Sequence, residues 1–199
     1  MLNKLKNSKK WLSKITVTFM ATFMLIGLTG CSNYTYLDKA KDVSMSADGY
    51  TMKVPSDTDV KTTYNSISYT FKKSNTEYVV AVSSNKAPTS VAKYLKKDVI
   101  RGYYTYDLRN GLSKVLDISD NFTIKDNSKN ATFEGYEGKE DTGSFKDANS
   151  KKYSYACYDF YADDKKLVPC EVLVASSSAK SNDLKKVAKE VIKSIKKEK

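Results

Sequence analysis

The chain has 199 residues, no histidine and a formal net charge of +11 at pH 7. The absence of histidine excludes Ser-His and Cys-His nucleophile pairs and removes the commonest zinc ligand. Lysine supplies almost all the positive charge, since only Arg101 and Arg109 are arginines, so the bidentate phosphate contacts typical of nucleic-acid readers are nearly absent. We therefore expect no nucleic-acid partner.

The first 30 residues have the pattern of an export signal. An uncharged, mostly apolar stretch of 14 residues runs from Ile15 to Leu28. A membrane-crossing helix needs about 20 apolar residues, so this stretch is short for a permanent span. It is preceded by lysines with no acidic residue among them: Lys4, Lys6, Lys9, Lys10 and Lys14. The pattern predicts a signal peptide over residues 1–30.

The apolar stretch ends on Leu28-Thr29-Gly30-Cys31. This motif resembles the lipobox of bacterial lipoproteins. The resemblance implies that the Cys31 sulfur receives a diacylglyceryl group and that the chain is cut between Gly30 and Cys31. Two acyl chains hold a protein on a bilayer far more firmly than one, because each buried CH₂ contributes roughly 0.8 kcal/mol. We expect a lipoprotein on the outer face of the cytoplasmic membrane, with that membrane as its partner through Cys31.

Removing the signal leaves 29 basic against 23 acidic residues, and most of this excess lies in residues 180–199. Residues 31–47 are polar and carry no sustained periodicity, so they are predicted to form a lipidated N-terminus and tether. Residues 48–199 are predicted to form one globular domain, which is within the usual size for a single core.

Alternating apolar and polar residues predict several strands in this domain. They are Tyr50–Val54, a hairpin of Asn65–Lys72 with Glu77–Ser83, and then Lys114–Ile118, Phe122–Lys125 and Ala131–Glu137. A helix is predicted to begin at Thr89 or Ser90 and to end before Gly111, because Val91, Leu95 and Val99 recur every four residues. The polar stretch Asp141–Ser150 is predicted to be a loop.

The clearest predicted element is a C-terminal amphipathic helix capped by Ser181, Asn182 or Asp183. One face is apolar and the other is rich in lysine. The apolar residues are Leu184, Val187, Ala188, Val191, Ile192 and Ile195. Such a face covers a sheet in a folded domain, which we favour; a basic amphipathic helix can also lie on an anionic membrane surface.

Cys157 and Cys170 are predicted to lie in one hairpin, with strands Tyr153–Tyr161 and Leu167–Ala175. Two registers stay open. An even number of loop residues puts both cysteines on the same side and allows a disulfide, whereas a three-residue loop points them to opposite faces of the sheet. Cys157 and Cys170 are therefore a candidate disulfide, with two buried thiols as the favoured alternative.

Tyrosine is unusually common, at 15 residues against 7 phenylalanines. Clustered tyrosines can form a ligand platform for sugars or peptides, and they equally suit a half-buried sheet. The candidate platform is Tyr103, Tyr104, Tyr106, Tyr153 and Tyr155. The sequence contains no metal-binding or cofactor-binding motif. Pairs of neighbouring carboxylates that could act as a catalytic acid and base lie in turns or at strand edges, where carboxylates are usually solvated.

The order of the elements resembles the PsbP-like and Mog1-like domains of small bacterial lipoproteins. The segments that carry the likeness are DGYTMKVPSD at 48–57, the helix start at Ala87-Pro88-Thr89-Ser90, and VIKSIKK at 191–197. The resemblance implies an α+β fold, an antiparallel sheet flanked by helices in an α-β-α sandwich. It also implies a binding or assembly module without catalytic residues. We therefore expect a non-enzymatic envelope protein with no cofactor and an unidentified ligand. The first alternative is a protein that binds an anionic polymer through its C-terminal lysines. The second alternative is a hydrolase that uses carboxylates and no histidine.

Overall fold

The computed structural model describes residues 37–45, 47, 49–85, 106–118, 129–163 and 168–198. Its helical parts are a C-terminal helix, Ser181–Ser194, and residues 106–112, named here the middle helical segment. The strands are β1 (Ala40–Ser44), β2 (Tyr50–Pro55), β3 (Val60–Thr62), β4 (Ser66–Lys73), β5 (Thr76–Ser84), β6 (Lys129–Phe133), β7 (Tyr136–Lys146), β8 (Lys152–Tyr161), β9 (Pro169–Ser176) and β10 (Lys196–Lys197).

The strands described form two antiparallel sheets. The larger has the order β3-β4-β5-β9-β8-β7-β6, and the smaller has the order β1-β2-β10. β9 is the central strand of the larger sheet and is buried along its whole length. A strand buried on both faces is expected to be rich in branched apolar residues, and Val172, Leu173 and Val174 fit that rule. The coarse α+β prediction is confirmed.

The predicted hairpin is confirmed as β4 and β5. Ser74 and Asn75 form its two-residue turn, with φ angles of 48° and 64°. Positive φ at both central residues is the type I′ pattern, whose twist matches that of the flanking strands. The turn fixes a register in which Tyr69 lies opposite Val80.

The main core lies between the larger sheet, the smaller sheet and the C-terminal helix. The helix contacts β8, β9 and β2, and every residue of its predicted apolar face is buried. That face is therefore covered by protein rather than presented to a membrane surface. The predicted side-chain cap is wrong: the helix already includes Ser181, and Lys180 is the capping residue without a side-chain bond. Asp183 in the first turn instead complements the helix dipole.

A second core lies on the opposite face of the larger sheet. Leu108 and Leu112 of the middle helical segment are fully buried there with β5, β8 and β9 residues. Gly111 was expected beyond a helix end, but it lies inside this segment. A Cβ at Gly111 would come within 2.7 Å of the Ser66 Oγ, so the glycine allows the segment to approach β4 closely.

Two predicted boundaries are wrong in the structure. The tether at 31–47 is too long, because its residues from Ala40 to Ser44 form strand β1 and pair with β2. β1 is an edge strand with mostly exposed side chains, so it lacks the apolar signal of a buried strand. The predicted loop Asp141–Ser150 is mostly the second half of β7, since polar residues suit a strand near the sheet edge.

Two predicted strands also differ. Residues 113–116 form turns, and Ile118 contributes only an isolated bridge to Asp147, so Lys114–Ile118 is not a strand. Ala131–Glu137 is split by a turn at Glu134 and Gly135, which both have positive φ. A glycine at such a turn costs nothing sterically and connects β6 to β7.

Several predictions lie outside the described residues. They are the signal peptide with Cys31, the helix predicted from Thr89 or Ser90, and the strand Phe122–Lys125. Within the described residues, no helix has the length and hydropathy needed to cross a bilayer.

An ion pair joins the C-terminal helix to β7. The Lys185 ammonium donates to the Glu140 carboxylate, and both side chains are partly buried. Burial alone would raise the pKa of Glu140, but the Lys185 ammonium, with smaller contributions from Tyr158 and Lys189, outweighs burial and holds the pKa below its ordinary 4.5. A carboxylate whose pKa is lowered in the folded state stabilises the fold at pH values above its ordinary pKa. This stabilisation is lost as the pH falls through the folded-state pKa.

A double-mutant cycle of Lys185→Met and Glu140→Gln should show a coupling of about 0.5–1 kcal/mol at pH 7, because the pair is only partly buried. The coupling should disappear in acid, where Glu140 is protonated. Urea denaturation at both pH values measures it. The Lys186–Asp183 pair, at 3.8 Å and more exposed, is the matched control and should show almost no coupling. Equal coupling energies for the two pairs at pH 7 would contradict a stabilising role of the Lys185–Glu140 ion pair.

Candidate functional site

A row of polar residues crosses five strands on the face of the larger sheet that carries the middle helical segment. Directly opposite residues on neighbouring antiparallel strands point to the same face. The register therefore places five side chains side by side, from β4 through β5, β9 and β8 to β7: Ser66, Ser83, Glu171, Asp159 and Lys139. This set is named the polar row.

The polar row is deeply buried at its centre. Glu171 is 1% exposed, although it belongs to the central strand, and Ser83 is 0% exposed. The Ser83 hydroxyl has no hydrogen-bond partner within the described part of the chain, and the same holds for the nearby Ser68. A buried hydroxyl left without a partner costs about 1–3 kcal/mol. Such a cost in the middle of a sheet is typical of a site that has a role besides packing.

Three donor atoms meet beside the row. The Cys157 sulfur and carboxylate oxygens of Asp159 and Glu171 all lie within 4.8 Å of one another. The Cys157 thiol donates a 3.5 Å hydrogen bond to Glu171 Oε1. Cys157 is 2% exposed, whereas Asp159 is half-buried and forms the more accessible side. Thiolate and carboxylate groups at this spacing are able to bind a metal ion.

Strand β7 lies beside the cluster of Cys157, Asp159 and Glu171. Asp141 lies directly opposite Cys157 and accepts a 3.4 Å hydrogen bond from the Tyr155 hydroxyl. The Tyr155 ring lies over Gly143, where an added Cβ would come within 2.7 Å of the hydroxyl oxygen. The glycine thus leaves room for an aromatic ring to cover the neighbouring strand. The ring separates the polar groups from the apolar Phe145 and Tyr153.

The two cysteines of the hairpin lie on opposite faces, and neither is in a disulfide. Cys157 is opposite Leu173, and Cys170 is opposite Phe160, so the cysteines face opposite sides as expected for the three-residue loop. The pairing itself differs from a three-residue hairpin, because Tyr161 lies opposite Pro169. The candidate disulfide is therefore not formed, because a bridge cannot pass through the sheet. Burial, with a smaller effect of the Asp163 carboxylate, raises the pKa of Cys170 to about 12.

Two residues of the predicted tyrosine platform, Tyr153 and Tyr155, are not available to a ligand. Tyr153 and Tyr155 are buried in the second core, and Phe145 stacks on Tyr153 with ring centroids 5.4 Å apart. Only Tyr106, which is 60% exposed, is available to solvent among the described platform residues. Tyr103 and Tyr104 lie outside the described residues. Packing is thus the main use of tyrosine in the described part of the sheet.

Sequence reasoning missed the polar row. Its members come from five strands, and their meeting depends on registers that no local pattern reveals. One signal was available: Glu171 interrupts the apolar run from Val168 to Ala175. A charged residue inside a run that predicts a buried strand needs a partner or a role.

No family model matches the sequence, and no curated protein matches it. Among solved structures, the chain is similar to LpqN, described as involved in cell envelope biogenesis of Mycobacterium tuberculosis. The identity is 17%, the match covers 82% of this chain and 97% of that one, and the TM-score is 0.42.

Thiol labelling tests the arrangement of the cysteines. With Cys31→Ser in the full chain, Cys157 and Cys170 remain. Iodoacetamide at pH 8 should label neither in the native protein, because both are buried, and at a pKa near 12 only about one Cys170 thiol in ten thousand is ionised. Both should be labelled in guanidinium without reductant. A mass lower by two hydrogens, with no labelling until reductant is added, would show a disulfide and contradict the register.

Proposed function

We propose that this chain is an extracytoplasmic bacterial lipoprotein whose domain acts as a non-enzymatic binding or assembly module. The observation that carries the proposal is the motif Leu28-Thr29-Gly30-Cys31 at the end of a short apolar stretch with a basic start. The lack of histidine in the whole chain supports a role without nucleophilic catalysis.

The start of β1 limits how far the domain can lie from the anchor. Nine peptide steps separate Cys31 from Ala40, and a fully extended chain gains at most about 3.5 Å per residue. The connection therefore spans no more than about 30 Å, roughly half of what a tether to residue 48 would allow. A connection this short keeps the domain near the bilayer surface, where it suits a partner that is itself close to the membrane.

The finer fold proposal is an α-β-α sandwich of the PsbP-like type. It is supported by the C-terminal helix on one face of the larger sheet and by Leu108 and Leu112 of the middle helical segment on the other. The smaller sheet adds to the first layer through β2, whose Met52 and Val54 are fully buried.

Mass spectrometry of the N-terminal peptide tests the anchor. In a bacterial host, the wild-type chain should begin at Cys31 and carry a diacylglyceryl group. Cys31→Ser should lose the modification and keep its leader, because the sulfur is the attachment point. Thr35→Ala should be processed like the wild type. The readout is the peptide mass rather than membrane association, since an uncleaved leader can hold a chain on the membrane. An intact leader or an unmodified Cys31 thiol in the wild type would refute the anchor.

A second candidate function is binding of an anionic polymer. The C-terminal helix and β10 expose a group of lysines: Lys186, Lys189, Lys193, Lys196 and Lys197. Their apolar neighbours are buried, so binding would depend on charge alone rather than on insertion.

Long-chain polyphosphate serves as the probe for this second candidate. Replacing Lys189 and Lys193 by glutamine should weaken binding by about fivefold per lysine, since a lysine near an anionic surface contributes about 1 kcal/mol. Replacing the exposed Lys146 and Lys152 by glutamine makes the same charge change elsewhere and should have little effect. Binding should also fall steeply with salt. Equal losses for both pairs, or salt-insensitive binding, would eliminate this candidate.

A further inference from the structure

We propose that the Cys157, Asp159 and Glu171 cluster binds a borderline-soft divalent metal ion of the Zn²⁺ class. Two positions of β8 separated by one residue and one position of β9 supply the ligands. The three donor atoms lie within 4.8 Å of one another, and the Cys157 sulfur is 3.5 Å from Glu171 Oε1, a separation that a single ion can bridge. This inference is independent of the lipid anchor and goes beyond the proposed function.

An independent observation marks the same place as a ligand site. Ser83 lies on β5 directly opposite Glu171, so its side chain points to the same face of the sheet. Its hydroxyl is completely buried and has no hydrogen-bond partner in the described part of the chain. A water held by the ion would give this hydroxyl a partner. Three protein ligands with one further position is the arrangement of an open zinc site.

The ligand chemistry selects the class of metal. A thiolate is a soft ligand that favours Zn²⁺ and similar ions, whereas Ca²⁺ and Mg²⁺ prefer sites made of oxygen alone. When the ion binds, the Cys157 thiol releases its proton to solvent and the sulfur forms the new bond. The resulting charges of Cys157, Asp159 and Glu171 offset that of a divalent ion.

Two charged neighbours from β7 face the cluster. Asp141 lies directly opposite Cys157 and brings a further carboxyl group, while Lys139 lies directly opposite Asp159 and brings an ammonium group. The Lys139 ammonium therefore competes with the ion for Asp159. Lys139→Met should tighten metal binding, because it removes this competing cation while keeping an unbranched side chain of similar length.

Co²⁺ is the spectroscopic probe for the site, used with the full chain carrying Cys31→Ser. One equivalent should bind and produce a thiolate-to-cobalt charge-transfer band, and Zn²⁺ should displace it. A further Cys157→Ser should abolish the band. Cys170→Ser is the matched control: it changes a buried thiol of the same hairpin on the opposite face, and the band should remain. Excess Mg²⁺ or Ca²⁺ should not displace the cobalt.

Two further variants, which keep the shape of the carboxylate side chains, test the metal site even if the Cys157→Ser variant does not fold. Asp159→Asn and Glu171→Gln should each weaken Zn²⁺ binding by at least about tenfold, with an unchanged circular dichroism spectrum. A merely structural role for these carboxylates would change the unfolding midpoint without changing the metal affinity. The proposal is overturned by a lack of saturable binding, by a band that survives Cys157→Ser, or by full Zn²⁺ affinity in both carboxylate variants.

Discussion

The pairing register of β8 with β9 is the constraint on which the rest of this structure depends. Side chains alternate between faces with a period of two, so each register assigns every residue of both strands to one core or the other. The observed register sends Cys170 and Val172 to the main core and places Glu171 beside Asp159 on the opposite face. A slip of one residue would bury Glu171 under the C-terminal helix. Burial of the apolar side chains in the main core and alignment of the polar row on the opposite face therefore require the same register of β8 with β9.

The elements that local patterns could predict are those whose sequence has a visible period. In the C-terminal helix this period comes from the burial of one face. The β4–β5 hairpin is buried on both faces over most of its length, but apolar residues alternate with serine and threonine along β4, and a polar turn separates the two strands. β1 and the second half of β7 were missed for the opposite reason. Their side chains are largely polar, and the backbone is held by hydrogen bonds to a neighbouring strand rather than by apolar burial. Pairing of this sort has no signature within the strand itself.

The candidate site could not be predicted because its parts are far apart in sequence. Ser83 and Glu171 lie 88 positions apart and become neighbours only when β5 pairs with β9. Asp159 and Glu171 are closer in sequence, but their contact depends on the length of the hairpin loop, which the sequence left open. The lone Glu in an apolar strand showed that β9 is unusual, yet it did not show what lies beside it. Sequence patterns thus predict faces more readily than they predict the residues that meet on a face.

The two buried thiols lie on opposite faces of the larger sheet and have different neighbours. Cys170 is surrounded by aliphatic and aromatic residues, and burial raises its pKa to about 12, so it behaves as a small apolar side chain. Cys157, on the other face, is a hydrogen-bond donor to Glu171 and neighbours Asp159 and Asp141. In an oxidising compartment, two thiols in one hairpin form a disulfide readily where their side chains share a face. Their placement on opposite faces prevents that bond, so Cys157 keeps the sulfur chemistry that a carboxylate-rich site can use.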